Sequence, residues 1–280
     1  MAIHRASFGL GTQKSNSKSF GTNVHKKEFP EIVRDVISKS DIVLEILDAR
    51  FVRETRNVEL ENIIKNKDKK LIYVLNKADL TDEEFIKRQI NDQKLFPYVI
   101  VSCKKRRGSQ ILRNRIKIEA KKIDFPEKRV GIIGYPNVGK SSVINLLVGH
   151  TSAKTAYEAG FTRGMQKIKL AENLFVIDTP GVFPGKEIRD EVFAKHVKIG
   201  SRNYDKVHEP EFVVSSIMKE YPGIFEKFYK IRIKNDADKL IEKLGRKKCF
   251  LIKGNEVDVD RTSRMILKDW QAGKMQKLIK

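Results

Sequence analysis

One stretch of the sequence has the residue types and spacing needed to bind the phosphates of a nucleotide. Residues 134–141 read GYPNVGKS and fit the pattern GxxxxGK[ST], between a predicted strand and a predicted helix. Glycines let backbone N–H groups close around phosphate oxygens, and a helix N-terminus adds positive partial charge. We expect Lys140 to reach the β- and γ-phosphates and the Ser141 hydroxyl to bind Mg²⁺. Four more residues complete the predicted phosphate contacts: Asn137, Val138, Gly139 and Ser142.

Two segments further along the chain suit a metal ion and a terminal phosphate. The sequence DTPG, 178–181, ends a predicted strand, so we expect Asp178 on the Mg²⁺ side and the Gly181 N–H at the γ-phosphate. DTPG alone is a common turn sequence, but together with the phosphate loop it favours the functional interpretation. Thr162, in the loop sequence AGFTRG, is expected to complete the Mg²⁺ shell; the alternative is an ordinary loop residue.

Upstream of the phosphate loop, NKAD at 76–79 predicts recognition of a guanine base. The Asp79 carboxylate can accept hydrogen bonds from guanine N1–H and its 2-amino group, a donor pattern that adenine lacks. An unpaired buried carboxylate is costly, so ATP should be rejected. Asn76 can donate to N7 and tie its loop to the phosphate loop, while the aliphatic stem of Lys77 can pack on the base plane.

A second, weaker base motif follows the next predicted strand. Residues 102–104 are Ser102, Cys103 and Lys104. The Cys103 N–H can approach guanine O6, and Lys104 can cover the ring. The tripeptide has little specificity by itself, but its position one strand after NKAD strengthens it.

The order of these motifs is unusual, because in a Ras-like chain the phosphate loop precedes NKxD. Either the motifs are unrelated accidents or the chain is a circular permutation that keeps the same sheet. Six strands alternating with helices favour the permutation and predict a mainly parallel α/β sheet, with each motif at a strand's carboxyl end. The predicted strands are 42–47, 71–75, 98–101, 129–133, 167–170 and 174–177.

Taken together, DIVLEILDAR (41–50), NKAD, SCK, GYPNVGKSS, GFTRG and DTPGV closely resemble the circularly permuted YlqF/YawG-like GTPases, over roughly 41–182. The resemblance implies a cytoplasmic enzyme that binds GTP or GDP with Mg²⁺ and hydrolyses GTP. It also implies action in assembly of the large ribosomal subunit and binding to particles that contain rRNA.

Hydrolysis requires a group that orients the attacking water, and the Gln that Ras-like proteins use after DTxG is Val182 here. We therefore expect slow intrinsic turnover. The family resemblance implies that His25, which precedes the first strand, helps catalysis; the alternative is an exposed histidine on a basic tail. Asn137 matches the phosphate-loop asparagine of GTPases that use K⁺ in place of an arginine; the alternative is an asparagine that only stabilises the loop.

Composition limits the class of protein. With 57 Lys and Arg against 36 Asp and Glu, the formal charge of the 280 residues is +21, which favours a polyanionic partner such as RNA over a neutral one. We expect a basic flexible tail at 1–24, the GTPase domain at 25–184 and a smaller, mainly helical domain at 185–280 that contacts RNA or the ribosome. No apolar run is long enough to span a bilayer, and two distant cysteines suit a reducing compartment, so we expect a cytoplasmic protein. We also expect a monomer.

Two other functions fit the same residues. The chain could be an RNA-binding scaffold that holds guanine nucleotide for structure, an interpretation favoured by the missing Gln. It could also be a GTPase that acts in tRNA modification or translation.

Overall fold

A computed structural model describes residues 29–149, 166–171, 173–178 and 190–279. The predicted basic tail and three predicted site residues, His25, Thr162 and Gly181, lie outside these ranges. So does the predicted domain boundary between 184 and 185.

The described residues form a six-stranded sheet in the order β3-β2-β1-β4-β6-β5, in which β5 alone runs antiparallel to its neighbour. The apolar β1 is buried along its whole length, as expected for a central strand with both faces covered. The predicted mainly parallel six-stranded sheet is therefore confirmed. The strands are β1 (Ile42–Asp48), β2 (Lys70–Asn76), β3 (Tyr98–Ile100), β4 (Lys128–Ile133), β5 (Gln166–Ala171) and β6 (Leu174–Asp178).

One helix precedes β1, and the others lie between successive strands. These helices are α1 (Phe29–Lys39), α2 (Val52–Thr55), α3 (Val58–Asn66), α4 (Glu83–Asp92), α5 (Ser109–Lys121) and α6 (Lys140–Val148). The sequence predicted Thr81 as the N-cap of α4, which is wrong: Asp82 holds that position, because a 3₁₀ turn over Ala78–Leu80 ends at Thr81. The single turn α2 is too short for a periodic signal and was not predicted. The Thr55 hydroxyl fixes it by donating to Phe51 O at 2.7 Å.

Five α-helices lie in the described residues after the sheet, 190–279, and a buried tryptophan joins them to the sheet. They are α7 (Asp190–Lys198), α8 (Pro210–Glu220), α9 (Ile224–Tyr229), α10 (Ala237–Lys247) and α11 (Val259–Gln271), and below we call them the C-terminal helical layer. Trp270 of α11 is fully buried and lies 6.1 Å from the ring of Phe51, which follows β1. Its indole N–H donates to Lys198 O at 2.9 Å. The helical layer is thus joined to the sheet through one continuous hydrophobic core.

The order of the chain does not disturb the geometry of the sheet. NKAD begins at the end of β2, SCK follows β3, the phosphate loop follows β4 and Asp178 ends β6. Because these four strands are parallel, all the motifs reach the same edge of the sheet. This is the edge where ligands bind in open α/β sheets.

A carboxyl group is buried in the middle of the central strand. Glu45 of β1 is 1% exposed, accepts a hydrogen bond from Asn57 N at 2.8 Å and lies near the buried Glu61. Glu61 in turn accepts from Tyr73 Oη at 2.7 Å and pairs with Arg56. Burial, followed by the charge of Glu61, raises the pKa of Glu45 to about 8. The protonated form of Glu45 is therefore the one that the fold favours.

This burial predicts that stability falls with rising pH. The pKa of Glu45 is about 8 in the folded chain, above its ordinary value of 4.5. The contribution of protonated Glu45 to the free energy of unfolding is therefore lost as pH rises from 4.5 to about 8. Glu45→Gln keeps a neutral side chain and should flatten the fall in unfolding free energy between pH 6 and pH 9, as measured by urea denaturation. Glu59→Gln, on the exposed side of α3, is the control and should keep the wild-type slope. An unchanged slope in Glu45→Gln would contradict the assignment.

Candidate nucleotide-binding site

The phosphate loop runs from β4 to α6 and depends on positive backbone φ angles at Gly134 (146°), Asn137 (60°) and Gly139 (101°). Gly139 is the N-cap of α6, so the unpaired N–H groups of the first helical turn face the loop. Lys140 is buried, and its Nζ donates to Gly134 O at 2.8 Å and to Tyr135 O at 2.7 Å. Ser141 stands on the exposed first turn. The loop can therefore offer N–H groups, an ammonium group and a hydroxyl to phosphate and Mg²⁺.

A single amide side chain joins this loop to both base-recognition loops. Asn76 at the end of β2 is 2% exposed; its Nδ2 donates to Val138 O at 2.9 Å, and its Oδ1 accepts from Cys103 N at 3.3 Å. A Cβ atom at Gly139 would collide with the Asn76 amide, so this approach requires glycine. The tie predicted between Asn76 and the phosphate loop is present. The Cys103 N–H, predicted to approach guanine O6, is engaged by Asn76.

The carboxylate expected to recognise guanine is oriented by a neighbouring hydroxyl. Asp79 lies in the 3₁₀ turn after β2, and its Oδ1 accepts from Ser102 Oγ at 2.6 Å. Ser102 is buried, and its Oγ accepts from Lys105 N at 3.2 Å. With one oxygen held in this way, the carboxylate has a fixed direction, which base recognition by two hydrogen bonds requires.

Lys77 is held by Asp48, a residue with no predicted role. It adopts the left-handed conformation (φ 63°), and its Nζ lies 2.9 Å from Asp48 Oδ2 at the end of β1. Asp48 is fully buried and also pairs with Arg50, whose Nη2 donates to Oδ2 at 2.7 Å. Burial alone would raise the pKa of Asp48, but the charges of Arg50 and Lys77 outweigh burial and hold it below its usual range. The signal in the sequence is DAR at 48–50, which begins at the last residue of β1.

Beside the base loops, a groove of about 840 Å³ runs between α5 and α6. Cys103, Lys104 and Arg106 line it from one side and Ser142 and Asn145 from the other. Arg113 also lines it, so its wall includes three cationic residues, together with three residues of the predicted nucleotide site: Cys103, Lys104 and Ser142. Burial, and then the charge of Asp79, raise the pKa of the Cys103 thiol to about 11, so Cys103 is a neutral thiol here and not a nucleophile.

The phosphate loop also contacts the turn that follows α7. Asn137 Nδ2 donates to Gly200 O at 3.0 Å, and Ser201 Oγ donates to Pro136 O at 3.3 Å. Tyr135 lies edge-on to the ring of His196, with 6.1 Å between centroids. Burial, and then the charges of Arg202 and Lys195, lower the pKa of His196 to about 4, so this contact involves a neutral imidazole. These long-range contacts were not predicted.

Part of the predicted site falls outside the described residues. His25, Thr162 and Gly181 are there, so their predicted roles stay predictions. Asp178 is the last residue of β6, which pairs in parallel with the phosphate-loop strand β4. Among the described residues, no group of three or more His, Cys, Asp or Glu side chains could hold a metal ion by itself. Within the same ranges, no helix is long and apolar enough to cross a membrane.

The fold and the motifs at its ligand-binding edge define a circularly permuted P-loop GTPase. A profile described as RsgA GTPase matches residues 42–184, and one described as 50S ribosome-binding GTPase matches 129–253. The chain belongs to the RsgA GTPase family, and its resemblance to the YlqF/YawG-like circularly permuted GTPases is confirmed.

Similar proteins carry GTP-binding names. The chain is 41% identical over 251 residues to the uncharacterised GTP-binding protein MJ1464 of Methanocaldococcus jannaschii, covering 88% of this chain and 65% of that protein. It is 32% identical to nucleolar GTP-binding protein 2 of Pneumocystis carinii, covering 94% of this chain and 56% of the other. The chain thus spans between about half and two thirds of the length of these relatives.

A solved structure supports the fold. The GDP-bound structure of YlqF from T. maritima matches with a TM-score of 0.64 at 22% identity, over 88% of this chain and 96% of that one. The fold class predicted from the sequence, a permuted GTPase sheet with a C-terminal helical part, is confirmed.

Exchanging the carboxylate of Asp79 for an amide tests the base-recognition assignment. Asp79→Asn replaces two acceptors with an acceptor and a donor, which suits the 2-oxo group of xanthine better than the 2-amino group of guanine. We expect the ratio of GDP to XDP affinity to fall by about two orders of magnitude, as measured by titration calorimetry. Asp82→Asn is the matched control at the start of α4, where the Asp82 side chain forms no capping bond, and it should bind like wild type. Unaltered selectivity in Asp79→Asn would refute the assignment.

Proposed function

We propose that this protein hydrolyses GTP slowly on its own and acts as a nucleotide-gated factor in assembly of the large ribosomal subunit, through binding to rRNA. The observation that carries the proposal is the convergence of the phosphate loop, NKAD and SCK on one sheet edge, tied together by Asn76. The profile described as 50S ribosome-binding GTPase, the nucleolar relatives and the charge of +21 support the particle and the RNA.

At the nucleotide, each residue has a distinct role in this proposal. Lys140 neutralises the β- and γ-phosphates, and Ser141, Thr162 and Asp178 hold Mg²⁺ directly or through water. Gly181 donates its N–H to the γ-phosphate. Bound Mg²⁺ would supply charge neutralisation of the transferred phosphoryl group. The base is held by NKAD and SCK, with Asn76, Lys77, Asp79, Ser102, Cys103 and Lys104 as the contacting residues.

The proposed gate lies where the chain leaves the γ-phosphate contact. The next described element along the chain is α7. Its last turn contacts Tyr135 of the phosphate loop through His196, and the turn that follows it contacts Asn137. Ordering of Gly181 by the γ-phosphate would therefore act on a helix that already contacts the phosphate loop at its other end. The C-terminal helical layer would then present a different surface to RNA in the GTP and GDP forms.

The proposed setting is the cytoplasm, with the chain acting as a monomer. The two cysteines, Cys103 and Cys249, are both unpaired, which fits a reducing compartment. Val182 cannot orient a water, which supports slow intrinsic turnover. The same feature favours a second candidate function, an RNA-binding scaffold that holds GTP or GDP for structure.

Turnover measurements on ribosomal subunits separate these candidates. In K⁺ buffer we expect large subunits to stimulate GTP hydrolysis tenfold or more, on the order of a modest activating factor, while small subunits leave it unchanged. His25→Ala should reduce the stimulated rate without changing GDP affinity, if the role implied by the family resemblance holds. Tight GTP binding with no stimulation by either subunit would favour the scaffold, and co-purification of tRNA would favour a role in tRNA modification.

The choice of cation tests the proposed role of Asn137. Its Nδ2 is committed to Gly200 O, so a K⁺ ion would be held through its Oδ1. We expect faster hydrolysis in K⁺ than in Na⁺ at equal ionic strength, and Asn137→Asp, which keeps an oxygen there, should retain more of the K⁺ preference than Asn137→Ala. Equal rates in K⁺ and Na⁺ for the wild-type protein would exclude the K⁺ role.

A further inference from the structure

The end of β1 holds a buried carboxylate that the nucleotide motifs do not account for. Asp48 lies opposite Asn76 in the β1–β2 register, and Asn76 directly precedes Lys77. The Asp48 carboxylate accepts from Arg50 Nε at 2.9 Å, Arg50 Nη2 at 2.7 Å and Arg50 N at 3.1 Å, and it pairs with Lys77 Nζ at 2.9 Å. A fully buried carboxylate with this many donors has one fixed orientation.

One of these donors belongs to the base-recognition loop. Lys77 is the residue whose stem is expected to pack on the guanine plane, and its backbone is in the left-handed region. A lysine side chain has four flexible bonds and would otherwise sample many rotamers. The ion pair with Asp48 anchors its ammonium end, so the stem is positioned before the base arrives.

The other donor reaches the C-terminal helical layer. Arg50 Nη1 donates to Gln271 O, the last residue of α11, at 3.1 Å. The Gln271 side chain donates through Nε2 to Val197 O and to Arg202 O, both at 2.8 Å. The Arg50 guanidinium therefore bonds Asp48 on one side and the end of α11 on the other, and Gln271 continues the connection to α7 and the turn after it.

We propose that Asp48 and Arg50 are positioning residues that hold Lys77 for the guanine base and couple base binding to the docking of α11. The inference rests on the proposed binding of guanine nucleotide at NKAD. Because coupling is reciprocal, a partner that shifts α11 changes the affinity for GDP, and GDP changes the stability of the α11 terminus by the same free energy. A particle bound to the C-terminal helical layer could in this way set how long the nucleotide stays bound.

A double-mutant cycle tests whether Asp48 acts through Lys77. We expect Asp48→Asn and Lys77→Met each to weaken GDP binding about tenfold, measured with a fluorescent GDP analogue. If both act through one ion pair, the double variant should bind about as weakly as either single variant. Losses that multiply to about a hundredfold would overturn the proposal.

Glu61→Gln is the matched control. Glu61 is also a buried carboxylate paired with an arginine, but its helix α3 contributes no residue to the nucleotide loops. It should lower the unfolding temperature while keeping wild-type GDP affinity. If it weakens GDP binding as much as Asp48→Asn does, the effect is one of general stability and the positioning role is wrong.

Hydrogen exchange tests the coupling to α11 directly. GDP should slow amide exchange in the last turn of α11, 268–271, in the wild-type protein, and this slowing should be lost in Asp48→Asn. Lys77→Met keeps the Asp48–Arg50 pair but removes the ion pair between Asp48 and the base loop. The slowing should therefore be lost in this variant too, which replaces Asp48→Asn if that variant does not fold. No slowing in a wild-type protein that binds GDP would refute the coupling, whereas no GDP binding by the wild-type protein would refute the proposed function itself.

Discussion

The arrangement of the nucleotide loops depends on the Asn76 side chain, which lies between the loops that follow three parallel strands. Its Nδ2 bonds the phosphate loop at Val138 O, and its Oδ1 bonds the SCK loop at Cys103 N. An amide is suited to this position because it is neutral and offers both a donor and an acceptor. A buried amide left without these partners would carry a desolvation cost, so the three loops stabilise one another or lose the arrangement together. Recognition of base and phosphate by one site follows from this shared contact.

A circular permutation can preserve such a site because the contact is spatial and not sequential. The sheet places β1 between β2 and β4, so a strand early in the chain supports both the base loop and the phosphate loop. Connections between strands pass over the surface and can be relocated at little cost while the sheet order is kept. What the permutation changes is the order of the elements: among the described residues, the element after β6 is α7 of the C-terminal helical layer.

The sequence predicted the parts of the fold whose signals are local. Each strand was marked by an apolar run, and the phosphate loop by glycines at positions where the backbone needs positive φ, such as Gly139. The parts that it missed depend on distant partners. Asp48 and Arg50 were visible as DAR, but their roles require Lys77 and Gln271, which are close only in the folded chain. The contact of Asn137 with Gly200 is likewise made between residues 63 positions apart.

The two nucleotide loops are tied to the same turn of the helical layer by independent routes. The phosphate loop reaches the turn after α7 through Asn137, and the base loop reaches it through Asp48, Arg50 and Gln271, whose amide bonds Arg202 O. A displacement of this turn would therefore act on phosphate and base contacts together. Since packed contacts change between discrete arrangements and do not deform continuously, such a turn suits a switch better than a graded response. In this protein the helical layer supports both nucleotide loops, so a partner that displaces the layer would change the contacts with phosphate and base.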